Sequence, residues 1–155
     1  IGTINNLAGG VTVTIEDDFS KVDKTMKLGE TIKLTDEQAV HFVHDRYYVG
    51  DETNVQRMKR QEQYKEGLKK NLGEKCSEDN KYPLTIYDAL GDYMVTDINS
   101  QKFSKLALLV LKDKDAGTVS IDGTESVDDL GFVEVQPDEE SLQKAILTLF
   151  YKEYK

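Results

Sequence analysis

Apolar residues at Ile1, Ile4 and Leu7 recur at helical spacing and give way to Gly9-Gly10, so the chain opens on the last turns of a helix with a glycine stop. Val11, Val13 and Ile15 then alternate with Thr12 and Thr14, and β-branched residues at period two predict a strand. Residues 16–34 are charged and irregular, with a short strand expected around Thr31 to Leu34. Thr35 followed by Gln38 has the form of a capping box, and Ala39, Val40, Phe42 and Val43 supply an apolar face behind it. This predicts a helix from Asp36 to Arg46. Beyond the turn signal Gly50-Asp51, a second helix is expected from Thr53 to Leu72, stopped by Gly73 and followed by a polar loop from Glu74 to Lys81.

Two further helical patterns cover Leu84 to Met94 and Gln101 to Lys112, separated by the turn-prone Thr96-Asp97-Ile98-Asn99-Ser100. Val119 and Ile121, then Phe132, Val133 and Val135, predict two short strands flanking Asp128-Asp129, and their pairing as a hairpin follows naturally. Pro137-Asp138 opens a last helix with Leu142, Ile146, Leu149 and Phe150 on one stripe. Core packing is the expected use of that stripe and of the apolar run Leu106 to Leu111. Helices and strands are therefore intermixed, which places the chain in the mixed α/β (α+β) class.

At 155 residues one domain with a sizeable core is expected, and 38% hydrophobic with 32% charged residues is a globular composition. The net charge of −9 opposes a nucleic-acid partner through the mean field of the surface. Leu106 to Leu111 is far too short to cross a bilayer and no charged-then-apolar leader opens the sequence, so a membrane anchor or export signal is expected outside these residues. The single Cys76 rules out an internal disulfide framework or a multi-cysteine metal site and reads as an incidental thiol. His41 reads as an ordinary helix residue, because no second histidine or cysteine is spaced to join it in holding a metal. Asp17-Asp18 and Asp128-Asp129 read as solvated surface pairs. Tyr47-Tyr48 is expected to pack against the following loop, with contact to a glycan or lipid as the alternative.

The stretch from Arg46 to Tyr64 carries the chemistry. On a helical wheel at about 100° per residue, Met58, Leu68 and Leu72 define an apolar arc with Gln61 near its middle and Arg57 on its shoulder. Two long polar side chains are thus expected to point inward, and a buried arginine needs a partner. A guanidinium offers five donors in a planar fork suited to carboxylate or phosphate, so either an internal Asp or Glu or a bound anion would serve. Arg46, at the end of the preceding helix, would converge on the same place.

Several motifs occur in a fixed order: Ala8-Gly9-Gly10-Val11, Leu28-Gly29, Leu34-Thr35-Asp36-Glu37-Gln38-Ala39, Phe42-Val43-His44-Asp45-Arg46, Gly50-Asp51 and Arg57-Met58-Lys59-Arg60-Gln61. In this order they resemble the signature of the LytR-CpsA-Psr family: a GGV strand, an L-x-G-E-Q-A-L helix ending in aromatic-V-R-x-R, and a helix bearing R-x-x-R-Q. Tyr93-Met94-Val95-Thr96-Asp97 and Asp138-Glu139-Glu140-Ser141-Leu142 are similar to the tail of clostridial-type members, so the resemblance spans nearly the whole chain. It implies the C-terminal part of that family's αβα fold, a central sheet flanked by helices, with residues 1–155 forming a single partial domain. The family's N-terminal half, with its magnesium-binding aspartates and a further arginine, is not among them.

The implied activity is that of a cell-wall glycopolymer phosphotransferase, which moves a polyprenyl-pyrophosphate-linked glycopolymer of teichoic acid or capsular type onto peptidoglycan. Arginines at the mouth of an apolar cavity would grip the pyrophosphate, and magnesium would assist in the intact enzyme, although no magnesium ligand is assignable here. Phosphoryl transfer rests mainly on positioning and charge neutralisation, which suits such a site. Residue by residue, Arg46 matches the second arginine of R-x-R, Arg57 the first arginine of R-x-x-R-Q, and Gln61 its glutamine. His44 stands where the family has the first arginine of R-x-R, making phosphate affinity weaker or more pH-dependent. These four are the expected pyrophosphate contacts, whereas the wheel position of Arg60 implies a structural or surface role. The resemblance further implies an extracytoplasmic location and leaves three alternatives: a non-catalytic polyprenyl-phosphate-binding module, a structural wall-associated domain, or the transcriptional attenuator of older family naming. Dimerisation or strand exchange would satisfy a sheet edge left open by a half-domain.

Overall fold

A computed structural model describes residues 1–113 and 118–151. The chain forms two compact units, residues 1–113 and 114–155. The first begins with helix α1 (Gly2–Leu7) and strand β1 (Thr12–Thr14), followed by β2 (Thr31–Lys33). The two strands pair antiparallel with Val13 opposite Ile32. Gly9 and Gly10 turn the chain from α1 into β1 with φ of 75° and 84°, backbone angles that suit glycine.

From Val11 the residues alternate buried and exposed well beyond the strand: Val11, Val13, Ile15, Asp17 and Phe19 all face inward. These side chains, with Met26, Leu34, Ala39, Phe42, Val43 and Val49, form the core of the unit. Asn5 is buried beside them and ties the elements together. Its amide donates to the Leu34 carbonyl at 3.1 Å and to the Asp36 carboxylate at 3.0 Å, and its side-chain oxygen accepts from the Val11 N–H at 3.0 Å.

Helix α2 (Asp36–His44) starts as its sequence predicts. The Thr35 hydroxyl accepts from the Gln38 N–H and the Gln38 side chain accepts from the Thr35 N–H. Helix α3 (Asn54–Glu78) is capped by Thr53 but runs straight through Gly73, so the expected stop and the first part of the expected loop are both helical. The reason lies in packing: Leu72 and Cys76 are one turn apart and both buried, so the apolar face continues past the glycine and outweighs its local cost, about 1 kcal/mol. Burial pushes the Cys76 thiol above its usual range, as suits a packed and unreactive side chain. Gly67 lets α3 cross close over β1, since a Cβ there would lie 2.6 Å from Val11 Cγ1.

Helix α4 (Tyr82–Leu90) begins earlier than expected because Pro83 suits a first turn, and it ends in a 3-10 turn at Gly91–Tyr93. Helix α5 (Ser100–Lys112) starts on an Asn99 cap and packs on α4 through Tyr87 and Phe103, whose rings lie 5.3 Å apart. Leu111 of the apolar run is half-buried against the core, while Leu106, Leu109 and Val110 are exposed.

The second unit holds an antiparallel hairpin of β3 (Gly123–Val127) and β4 (Val133–Pro137), followed by helix α6 (Glu139–Phe150) on an Asp138 cap. The hairpin is as expected, but its first strand begins after Val119 and Ile121. The sequence signal there was displaced because both of those residues precede the residues that pair. Within α6 the buried residue is Ala145, and Ile146, Leu149 and Phe150 of the expected core stripe are exposed. The chain is thus mixed α/β, with its strands in two separate antiparallel pairs among the described residues. No helix among the described residues is long and apolar enough to cross a membrane.

Candidate functional site

The C-terminus of α2 and the N-terminal half of α3 are joined by residues 45–53. Val49, 1% exposed, anchors this loop in the core. The Gly50 N–H donates to the Asp18 carbonyl at 3.1 Å, and Asp51 caps the approach to α3 by accepting from the Thr53 N–H at 2.9 Å and hydroxyl at 2.7 Å. Those two Thr53 bonds hold the Asp51 carboxyl below its usual range.

Around this loop lies a cleft of about 510 Å³ lined by Val22, His44, Asp45, Arg46, Tyr47, Tyr48 and Arg57. Three of the four expected anion contacts, His44, Arg46 and Arg57, therefore share one surface. Arg46 and Arg57 are each half-buried, and His44 is exposed. The Arg46 guanidinium lies over the Tyr47 ring at 4.5 Å and donates to the Tyr47 hydroxyl. Arg57 has a buried Nε with no hydrogen-bond partner among the described residues. The carboxylate of the cleft, Asp45, is engaged from behind by His41 Nδ1 at 2.7 Å, while His44 Nδ1 is 3.5 Å from its other oxygen.

Gln61 is not among the lining residues. Its side-chain nitrogen donates to the Val43 carbonyl at 2.9 Å, and Met58, which the wheel placed inside, is 62% exposed. The wheel failed because it was anchored on Leu68 and Leu72 and extrapolated over several turns. Along a helix of 25 residues the packing neighbour changes, and at its N-terminal end the inward face is Arg60 and Tyr64.

Arg60 is the buried arginine. It is 4% exposed, its Nε donates to the Phe42 carbonyl at 2.9 Å, and its two terminal nitrogens donate to the Asp17 carboxylate and the Asp45 carbonyl. Its guanidinium also lies 5.4 Å from the centre of the Phe19 ring. The surface role considered for Arg60 is thus corrected to a structural one, and Asp17 is corrected from a solvated residue to a buried ion-pair partner. Arg60 and Gln61 together satisfy the last carbonyls of α2, which a helix leaves without internal partners. They hold the backbone that carries His44, Asp45 and Arg46. Asp17 was legible in principle, because it continues the inward alternation Val11, Val13, Ile15. Asp45 and Val22 as cleft walls carried no comparable sequence signal, since each reaches the cleft through loop geometry, whereas Tyr47 and Tyr48 line it as the alternative of ligand contact requires.

Among the described residues no group of three or more His, Cys, Asp or Glu is arranged to hold a metal ion. The magnesium that the resemblance implies would be held by aspartates of the family's N-terminal half, and no residue of this cleft is assigned to it.

The family model described as "LytR_cpsA_psr family" matches residues 2–149. No curated protein matches the chain. Among solved structures the chain is similar to a transcriptional regulator (EF0465) from Enterococcus faecalis, with a TM-score of 0.70, 22% identity and 99% of this chain covered against 57% of that one. It is also similar to TagV of B. subtilis, with a TM-score of 0.68, 19% identity and coverage of 98% and 61%. A third likeness is the Lin1025 protein of Listeria innocua, with a TM-score of 0.60, 22% identity and coverage of 95% and 60%. The chain thus spans about three fifths of the length of these structures, and at such identities the likeness shows the fold. The ordered motifs, the fold and a family match over nearly all its residues lead to one conclusion: this chain belongs to the LytR-CpsA-Psr family.

Proposed function

We propose that this chain supplies the arginine side of a pyrophosphate site in a cell-wall glycopolymer phosphotransferase. The observation that carries the reading is the shared cleft of Arg46 and Arg57, with one buried guanidinium nitrogen of Arg57 left without a partner. Membership in a family of glycopolymer transferases supports it.

The chemistry follows from the donors. Arg57 lines the cleft with no side-chain hydrogen bond among the described residues and Arg46 is bonded to a neutral phenol oxygen, so an anionic phosphate oxygen competes well for both guanidiniums, because hydrogen bonds between ions are shorter and stronger than those to neutral acceptors. Two planar cations flanking a diphosphate neutralise its ground-state charge and the charge that develops on the leaving phosphate as a glycan-bearing phosphoryl group is transferred. His44 adds a ring N–H donor in the same wall. In this reading the donor substrate is a polyprenyl-pyrophosphate glycopolymer of teichoic acid or capsular type. The acceptor is peptidoglycan, the working site is the outer side of a membrane to which the intact protein is anchored, and pairing with a second copy would cover open strand edges.

The test is titration of the full chain with farnesyl diphosphate by calorimetry, alongside Arg57→Ala. Loss of one charge-assisted contact, worth about 1.5–3 kcal/mol, predicts a roughly ten- to hundredfold weaker dissociation constant. Wild-type chain that shows no saturable binding, or Arg57→Ala that binds equally well, refutes the reading. In the intact enzyme the same variant should cut transfer of a lipid-linked glycan by a similar factor.

A further inference from the structure

Tyr47 and Tyr48 were expected to pack against the loop that follows them, and they do not: they are 63% and 65% exposed and both line the cleft. Val49 takes the buried position instead. Tyr48 has a φ of 65°, a backbone conformation that large L side chains rarely adopt. The geometry is held by its N–H, which donates to the Glu52 carboxylate at 3.1 Å, and by the Val49 anchor beyond it. A glycine would sit there without penalty, as Gly50 does two residues on with a φ of 53°. Backbone kept in such a state by its surroundings is concentrated at ligand-contacting positions. What the conformation achieves here is a second aromatic ring in the cleft wall.

Resting on the pyrophosphate reading above, we infer that Tyr47 and Tyr48 form a subsite for the sugar ring joined directly to the diphosphate. A tyrosine presents an apolar face and a polar tip, which matches the C–H faces and hydroxyls of a pyranose. Arg46 stands at 4.5 Å from the Tyr47 ring, and Tyr48 lines the same cleft as Arg46 and Arg57, so both rings share a wall with the cations that would hold the phosphates. Asp45 and His44 lie in the same wall and offer an acceptor and a donor to sugar hydroxyls. A prenyl chain in this position would strip water from two guanidiniums, a carboxylate and an imidazole without replacing it, which is costly. The sugar end of the substrate suits this wall and the hydrocarbon end does not.

Calorimetry of the full chain with farnesyl diphosphate and with a farnesyl diphosphate carrying a terminal N-acetylhexosamine tests this. Wild type should bind the sugar-bearing ligand at least about tenfold more tightly. Tyr48→Gly should lose most of that preference, keep its affinity for the bare diphosphate, and melt no lower than wild type, since glycine is at ease at that φ. Tyr48→Asn, whose side chain also tolerates left-handed backbone, should behave likewise, and Tyr48→Phe should retain the preference. The inference is overturned if the preference survives in both ring-less variants, or if affinity for both ligands falls in equal proportion. It is also overturned if the ring-less variants instead lose discrimination between farnesyl and longer prenyl chains. A wild type that binds both ligands equally sinks the sugar subsite alone, whereas one that binds neither sinks the pyrophosphate reading with it.

Discussion

Arg57 and Arg60 are one turn apart on the same helix and belong to the same short motif, yet their surroundings are opposite. Arg60 is 4% exposed and its donors meet a carboxylate and two backbone carbonyls, all within the chain. Arg57 lies half open in a cleft with a buried nitrogen unmatched. A guanidinium whose donors are filled by its own protein stabilises the fold and has little to offer a ligand. One whose donors are left over does the reverse. The comparison teaches that the motif is a pair of tools, one holding the floor of the site and one facing what binds there.

The strongest way to break the contrast is at Arg60. Removing one partner of a buried ion pair leaves an uncompensated charge, so Arg60→Met should lower unfolding stability by about 3–5 kcal/mol in urea titrations. Combining it with Asp17→Leu should recover much of that loss, because the stranded carboxylate is then gone. An Arg60→Met protein as stable as wild type would show that the pair is not the support described.

At Arg57 the expectation is inverted. Arg57→Ala removes an unsatisfied donor and no side-chain hydrogen bond among the described residues, so stability should stay within about 0.5 kcal/mol of wild type while diphosphate affinity falls roughly ten- to hundredfold. A large stability loss with intact binding would exchange the roles of the two arginines.

The smallest effect concerns pH and sharpens the buried side only. Tyr64, one turn beyond Arg60, has its phenol pushed from the ordinary 10.0 up to about 12, first by burial and then by the charge of Asp36. A folded-state value above the unfolded one means the neutral phenol is favoured by folding. Its contribution is therefore complete below pH 10.0 and lost as pH rises towards about 12. Tyr64→Phe should flatten that alkaline decline in stability, which unfolding titrations across the interval would reveal, and diphosphate affinity at neutral pH should not change.

Much of the fold could be read from the residue pattern. The glycine stop, the alternating strand, the capping box at Thr35, the hairpin and the final helix all depend on neighbours within a few positions, and each is found close to where its pattern places it. Gly73 shows the limit. Its propensity to end a helix is a local preference of about 1 kcal/mol, and burial of Leu72 and Cys76 against other elements outweighs it. The meeting of His44, Arg46 and Arg57 at one place was likewise legible, from the shortness of the loop between their helices. The departure of Gln61 was not, because a helical wheel records angles around an axis and says nothing about what lies on each side, and for Tyr47 and Tyr48 the residue pattern left open whether they pack on the loop or meet a ligand.

By itself the sequence determined the order and kind of the elements and the family to which the chain belongs. Only the tertiary structure decided which arginine is sealed inside and which faces the cleft. The physical reason is range: hydrogen bonding within a helix links residues a turn apart, whereas the partner that neutralises Arg60 is Asp17, 43 positions away. Whether a guanidinium is satisfied depends on what the fold brings to it, and that is a property of the assembled core.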